Sequence, residues 1–496
     1  MVCVHRLGKQ EGRQSGVGED NGERKAERCR AQAHLLARLQ IQYLPRLLQR
    51  MVVFASSLVF LVMIKAVGID LGTTNSAIAI IDDENQALVV KNRFGSYTTP
   101  STVAITHSGT AIVGSHALAQ AAHNVNNTIY NSKRFMGQKF NDCTQEARCV
   151  GFTVDADKDG DVIFRCSHLP GPLYPEQVAA LVLKELLDSL NTVDGATSID
   201  SAVVTVPAYF REAQREATLA AASLAGLGEV TLLSEPVAAC LSHGLETVTG
   251  KVLVFDLGAG TFDVSILQLH DGGDIEVIAT SGDPRLGGID FDALLIEHIS
   301  DRAADQGMDP RSSSEAMSQL RQNVENAKIK LSVVKSKTVF VPPTPSSTDG
   351  LELELTRSDL ERVCEPLLRR LKGPLYEVAI SARVAMPGES APPPTGKPKK
   401  RAREASKKLL PDGPLKYLPQ GEPLSEIVMV GGASRMTAVR KLLNNLFGVT
   451  PRRTVDPMEA VATGAAVYAG IRRGVIKGRV LQKWQADLGR MLEEKS

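Results

Sequence analysis

A chain of 496 residues, 43% hydrophobic and 23% charged, has apolar material for a large core and length for a few domains or one bilobal unit. A formal net charge of +1 at pH 7 argues against a dedicated nucleic-acid binder, because basic residues gather only at the N-terminus and in one later segment. Seven cysteines, an odd number without CxxC spacing, speak against a zinc site or a disulfide framework.

Residues 1–50 are rich in Arg, Gln and Glu and read as mostly disordered. The run 52–64 is uncharged and apolar, too short to span a bilayer comfortably but matching a signal-peptide core. It is either a targeting segment, with translation starting at Met51, or an upstream extension that packs on the first strand. The stretch 67–76, VGIDLGTTNS, is an apolar strand that delivers Asp70 to a sheet edge and then turns. Gly72 there lets the backbone approach an anion, and Thr73, Thr74 and Asn75 follow with polar donors.

Further on, residues 124–140 form a turn and a basic amphipathic segment carrying Lys133. The acidic run 155–161, DADKDGD, has the opening of a calcium loop, but Cys166 stands where the closing glutamate belongs, so a polar hairpin turn is expected. A helix is expected over 175–191, a buried strand stopped by Pro207 over 199–210, and an alanine-rich helix over 211–227. Residues 230–245 read as a strand entering a helix through Glu235 and Pro236.

The first design then recurs at 252–264, VLVFDLGAGTFDV: an apolar strand, Asp256, a turn through Gly258, Ala259 and Gly260, then Thr261 and Asp263. Two such hairpins facing each other could grip one triphosphate. After a strand at 275–281, the pair Gly287 and Gly288 precedes a helix whose first N–H groups favour an anion. The helix 318–333 would present Glu325, Lys328 and Ser332 on one face. Two strands around a Pro and Ser loop are expected over 338–355 and one helix over 358–376. The segment 386–423 is a basic, proline-rich insertion expected in solvent, its 397–403 run either a nuclear-localisation patch or a charged loop. Past it, 426–447 runs from a strand through Gly431 and Gly432 into an amphipathic helix with Arg435 near its start, and a final helix occupies 457–472.

The pair DLGTTNS and DLGAGTFD resembles the two phosphate loops of the actin-like ATPases, and in wording those of the heat shock protein 70 chaperones. NTIYNSKR at 127–134 and GDPRLGGIDFD at 282–292 are similar to further motifs of that family, and the likeness covers about 67–473 apart from the insertion. It implies an α/β protein of the actin-like ATPase fold, duplicated ribonuclease H-like lobes around a nucleotide cleft. Lobe I would span 66–245 and lobe II 246–473, with an extension 1–65 before them and a tail 474–496 after. That tail has neither the linker nor the β-rich peptide-binding domain found after this half in the family, which resembles the microsomal stress ATPase-core branch.

On the same resemblance, Asp70 and Asp256 hold Mg2+ through water, Lys133 reaches the γ-phosphate and the attacking water, and Glu235 and Asp263 act on that water or the metal shell. Thr73, Thr74 and Thr261 donate to phosphate oxygens, while Glu325, Lys328, Ser332, Gly431, Gly432 and Arg435 hold the nucleoside. Pro207 and Arg215 fall where the family passes on its nucleotide state. The implied cofactors are ATP or ADP with Mg2+, and K+ as a further candidate. The implied partners are co-chaperones, nucleotide-exchange factors, other chaperones and, indirectly, unfolded proteins, with no nucleic acid and with membrane contact through 52–64. The compartment is the endoplasmic reticulum or endomembrane, the alternative being cytoplasm or nucleus.

Three positions depart from the family: Ile329 replaces an arginine that stacks on the base, Ala433 a serine and Met458 an aspartate. They keep a second function open, a pseudo-ATPase or regulatory partner of another chaperone. A sugar kinase of the same superfamily would need a sugar-binding segment, and none is found.

Overall fold

The computed structural model describes residues 66–82, 84–190, 199, 201–245, 248–271, 273–345, 347, 349–387, 421–452 and 454–476. The apolar run 52–64, most of the basic insertion and the tail from 477 lie outside these residues.

Two mixed sheets repeat one plan. In the first, β1 (Val67–Asp70), β2 (Asn75–Ile81) and β3 (Ala87–Val89) form an antiparallel meander, while β4 (Ala202–Val206) lies parallel to β1 and β5 (Val230–Ser234) parallel to β4. Helices α1 (Pro175–Leu190), α2 (Glu212–Ala225) and α3 (Glu235–Ser242) complete the crossovers. In the second sheet, β6 (Gly250–Leu257), β7 (Phe262–Leu269) and β8 (Ile275–Asp283) make the same meander, and β9 (Leu424–Val430) runs parallel to β6. Helices α4 (Gly288–Ala304), α5 (Ser314–Leu331), α6 (Arg357–Val363), α7 (Glu365–Ser381), α8 (Thr437–Phe447) and α9 (Ala460–Arg472) belong to this half in sequence.

The central strands are mostly apolar runs because both faces are covered. Along β6, Leu253, Phe255 and Leu257 pack with α4, α5, α7 and α8, whereas Val252 and Val254 join a separate core with α3 and α9. That second core also holds Val203 and Leu233 of the first sheet, so α3 and α9 fill the space between the two sheets. On the far side of the first sheet, Val67 and Ile69 of β1 pack with α1 and α2.

Three local expectations change. The final helix, counted with lobe II, crosses back onto lobe I: a Cβ on Gly68 of β1 would come within 2.0 Å of Ala466 N, and one on Gly464 within 1.7 Å of Ala238 O. Its alanine- and glycine-rich surface is what lets the backbones approach so closely. The single helix expected over 358–376 is two, α6 and α7, divided at Cys364 with Pro366 in the first turn of the second. The first N–H groups of α4, expected to face an anion, are taken by protein: Gly288 N donates to Gly258 O at 3.0 Å and Ile289 N to Ala259 O at 2.8 Å. The acidic run 155–161 is the expected hairpin turn, where Asp157 Oδ1 accepts from the N–H groups of Asp159 and Asp161, both at 2.9 Å.

Candidate active site

The register of the two meanders sets the chemistry. In the first, Asp70 ends β1 opposite Ala77; in the second, Asp256 stands opposite Asp263 and beside Val430 of β9. The turns that follow the two acids line one cleft of about 330 Å³, with Asp70 and 72–75 from the first, and Asp256, Gly258, Ala259, Thr261 and Asp263 from the second. Gly431, Gly432, Pro457 and Met458 continue the lining from β9 and the start of the last segment. Gly431 must be glycine, since its φ is 80° and a Cβ there would lie 2.6 Å from Asp256 Oδ1.

Lys133 enters through a tight turn in which Asn131 adopts a left-handed conformation, φ 56°. Its ammonium donates to Glu235 Oε1 at 2.6 Å, and the two side chains are only 9% and 14% exposed. Glu235 is placed by the β5–α3 junction, where Pro236 follows in the first turn. Burial pulls the Lys133 pKa down, but Glu235 and Asp70 beside it win and raise it above the ordinary lysine value. The carboxyls respond the other way. Burial, then Glu235, pushes Asp70 up to about 7 and Asp263 up to about 7, and burial with the surrounding acids raises Asp256 well above the carboxylate range. Asp70, Asp256, Asp263 and Glu235 thus cluster around the ammonium of Lys133.

Several predicted residues sit elsewhere. Gly260 carries its carbonyl to Arg134 Nη2 at 2.9 Å. Gly287 and Gly288 do not line the cleft; Gly288 braces its second loop through the bond described above, and Gly287 N donates to Asp290 Oδ2 at 2.8 Å. Glu325, Lys328 and Ser332, expected on ribose, are also absent from the lining; Glu325 is exposed, and Lys328 is buried with its ammonium on Asp292 and Gly288 O. Arg435 forms an ion pair with Asp456, whose Oδ1 also accepts from Met458 N at 2.9 Å. Pro207 lines the cleft, and Arg215 Nε donates to Phe210 O at 3.1 Å.

Sequence reasoning passed over three residues. Arg134, adjacent to Lys133, carries the contact from lobe I to the second loop. Tyr209 and Phe210, two and three residues after Pro207, line the cleft, with Lys133 Nζ 5.8 Å from the Phe210 ring. Adjacency to Lys133 was the available signal for Arg134, and nearness to Pro207 for the two aromatics.

Two duplicated sheets with acid-tipped hairpins meeting in one cleft define the actin-like ATPase fold. More narrowly, the chain matches the family model described as Hsp70 protein over residues 66–387 and 399–484, and it belongs to that family. It is 39% identical over 424 residues to the Chaperone protein dnaK of Cyanidioschyzon merolae, covering 84% of this chain and 64% of that protein. It is 38% identical over 422 residues to the Chaperone protein DnaK of Trichormus variabilis and the Chaperone protein DnaK 1 of Synechococcus sp., covering 84% of this chain and 56% and 51% of theirs. The chain therefore spans about half to two thirds of the length of these relatives.

Proposed function

We propose that this chain binds and slowly hydrolyses Mg-ATP as an ATPase unit of the heat shock protein 70 type, and passes its nucleotide state to partners in protein folding. The observation that carries this is the meeting of Asp70, Asp256, Asp263, Glu235 and Lys133 in one cleft walled by both hairpins. The donor set fits a divalent cation, because buried carboxyls all raised above their ordinary pKa by burial and by one another mark a negative site short of positive charge. Asp70 and Asp256, one from each lobe, would hold Mg2+ through its water shell, and the ion would offset the charge of the triphosphate there. K+ is a further candidate for the same charge.

Phosphoryl transfer to water needs positioning and charge compensation more than covalent chemistry. Lys133, held by Glu235, donates to the terminal phosphate and aligns the attacking water. Asp263 accepts a hydrogen bond from that water on the side of the second hairpin. Thr73, Thr74 and Thr261 donate hydroxyl groups to phosphate oxygens, and closure of the two loops excludes bulk water. Because the groups come from both lobes, nucleotide state becomes a relation between lobes that a co-chaperone, a nucleotide-exchange factor or another chaperone can read. The proposal includes no nucleic-acid partner. It keeps the endoplasmic reticulum or endomembrane as the compartment, with membrane contact through 52–64, and cytoplasm or nucleus as the alternative.

Single-turnover hydrolysis by the purified protein with Lys133→Ala alongside tests it. The variant is expected to lose about 10²–10³-fold in rate while binding Mg-ATP; equal rates for the two would remove Lys133 from the mechanism. The second reading, a pseudo-ATPase or regulatory partner that holds nucleotide without turning it over or has lost it, is favoured by the nucleoside end. Met458 lines the cleft with Sδ 3.4 Å from a Cβ position on Gly432, and Ile329 is 51% exposed. Tight Mg-ATP binding with no hydrolysis above the rate in buffer would establish that reading instead.

A further inference from the structure

A further contact between the lobes lies away from both hairpins. Arg285, in the turn after β8, donates from Nη2 to Gln145 Oε1 at 2.7 Å and to Glu146 Oε1 at 3.3 Å, reaching the helical turn Thr144–Ala147 of lobe I. The turn that carries Arg285 is fixed by its own lobe. Arg370 of α7 donates to Asp283 from Nε at 2.6 Å and from Nη2 at 2.9 Å, and the same Nη2 donates to Arg285 O at 2.9 Å. Arg285 N in turn donates to Asp283 Oδ1 at 3.0 Å. A two-pronged guanidinium–carboxylate pair has a defined geometry, so the backbone of Arg285 is set and its side chain alone spans the gap.

The sheet topology says which side of the cleft this contact closes. Strands of the second sheet run in the order β8, β7, β6, β9. At one edge β9 ends at Val430 and leads to Gly431 and Gly432; at the other β8 ends at Asp283 and leads to Pro284 and Arg285. Neighbouring strands stand about 4.8 Å apart, which puts about 14 Å between the two edges, with the second hairpin between them. The β8 edge is the side of Asp263: Gly282 stands opposite that acid, and a Cβ on it would come 2.9 Å from Asp263 Oδ1. Pro284 lines the cleft there, and so do Gln138, Asp142 and Glu146 from the segment that follows Lys133. Arg285 adjoins one lining residue and bonds to another, so its bridge sits on the rim beside the terminal phosphate, away from Gly431 and Gly432.

Resting on the cleft reading above, we propose that Arg285, with Gln145 and Glu146, gates the phosphate side of the cleft. Closed, the bridge retains the inorganic phosphate cut from the nucleotide; open, it lets that phosphate leave while the nucleoside diphosphate stays between the hairpins. The strength of the bridge suits this task. The Arg285 and Glu146 side chains are 45% and 25% exposed, and an ion pair in contact with water holds by a factor of a few, weak enough to open at each turnover.

The test reads phosphate release without relying on hydrolysis. Full-length wild type, Arg285→Gln and the double variant Gln145→Ala with Glu146→Ala are loaded with Mg-ADP and radiolabelled phosphate, and the label is chased with unlabelled phosphate. Release of a fluorescent ADP is followed in parallel. Removing the bridge from either lobe is expected to speed phosphate release about threefold and to leave ADP release unchanged. Phosphate leaving all three proteins at one rate would overturn the gate, as would a wild-type Mg-ADP complex that retains no phosphate. ADP release accelerated by the same factor as phosphate release would also overturn it, making Arg285 a general tie between lobes. Wild-type protein that binds no Mg-ADP would overturn the cleft reading itself.

Discussion

The two phosphate hairpins share a strand, an acid and a glycine turn, yet they are braced in different ways. The first is held by its own lobe: Gly72 N donates to Ser76 Oγ at 3.1 Å, Gly72 O accepts from Ser101 Oγ at 2.8 Å, and Ser101 N donates to Thr74 O at 2.8 Å. The second takes a contact from the opposite lobe, Arg134 on Gly260 O, besides those of α4 in its own lobe on the carbonyls of Gly258 and Ala259. Opposite its acid the first carries Ala77 and the second Asp263. A duplicated design thus yields a self-sufficient rim on one side, and on the other a loop that carries both an extra carboxylate and a tie between lobes.

The largest effect is expected from making the second hairpin resemble the first. Asp263→Ala should cut single-turnover hydrolysis about 100-fold with Mg-ATP affinity held within about threefold; a rate near wild type would show that the added carboxylate is not used. The reverse change, Ala77→Asp, puts a carboxyl at a position 2% exposed. It should destabilise the protein by about 2–5 kcal/mol, read as a fall in denaturant midpoint, and an unchanged midpoint would mean that the first rim tolerates the charge. Arg134→Ala removes one tie between lobes, leaving that of Arg285 to Gln145 and Glu146, and is expected to weaken Mg-ATP about tenfold, with nucleotide release accelerated in stopped flow. Release at the wild-type rate would place the tie elsewhere.

The smallest effect is one of pH. Burial and Glu235 hold the Asp70 and Asp263 carboxyls protonated up to about 7, whereas in the unfolded chain they ionise near 3.8. Between those values the folded state binds more protons, so stability without nucleotide or divalent cation should decline as pH rises from about 4 to about 7. Calorimetric melting across that range checks the slope, and Asp70→Asn should flatten it. A melting temperature that rises with pH over the same interval would contradict the assigned environment.

Both hairpins were legible in the sequence because their signal is local: an apolar strand ends in an acid and meets glycine within two residues. The meander after each acid and the strand into Glu235 followed from the same short-range patterns. What could not be read depends on contacts distant in sequence. The alanine- and glycine-rich periodicity of α9 says that something approaches it closely, not that this is β1, nearly four hundred residues earlier in the chain. Lys328 has the helical spacing of a ligand-facing row, and only the fold shows Asp292 and Gly288 O bonded to its ammonium. The break at Cys364 left a trace, Pro366, that outweighed the helical period on either side.

Everything rests on both hairpins gripping one magnesium nucleotide. Electron paramagnetic resonance titration of Mn2+ into the ADP complex of wild type, Asp70→Asn and Asp256→Asn tests this most directly. The expected result is one tightly held ion per wild-type chain, weakened about tenfold or more by either substitution alone. An ion retained at wild-type affinity in either variant would show that a single hairpin suffices and that the two do not share it.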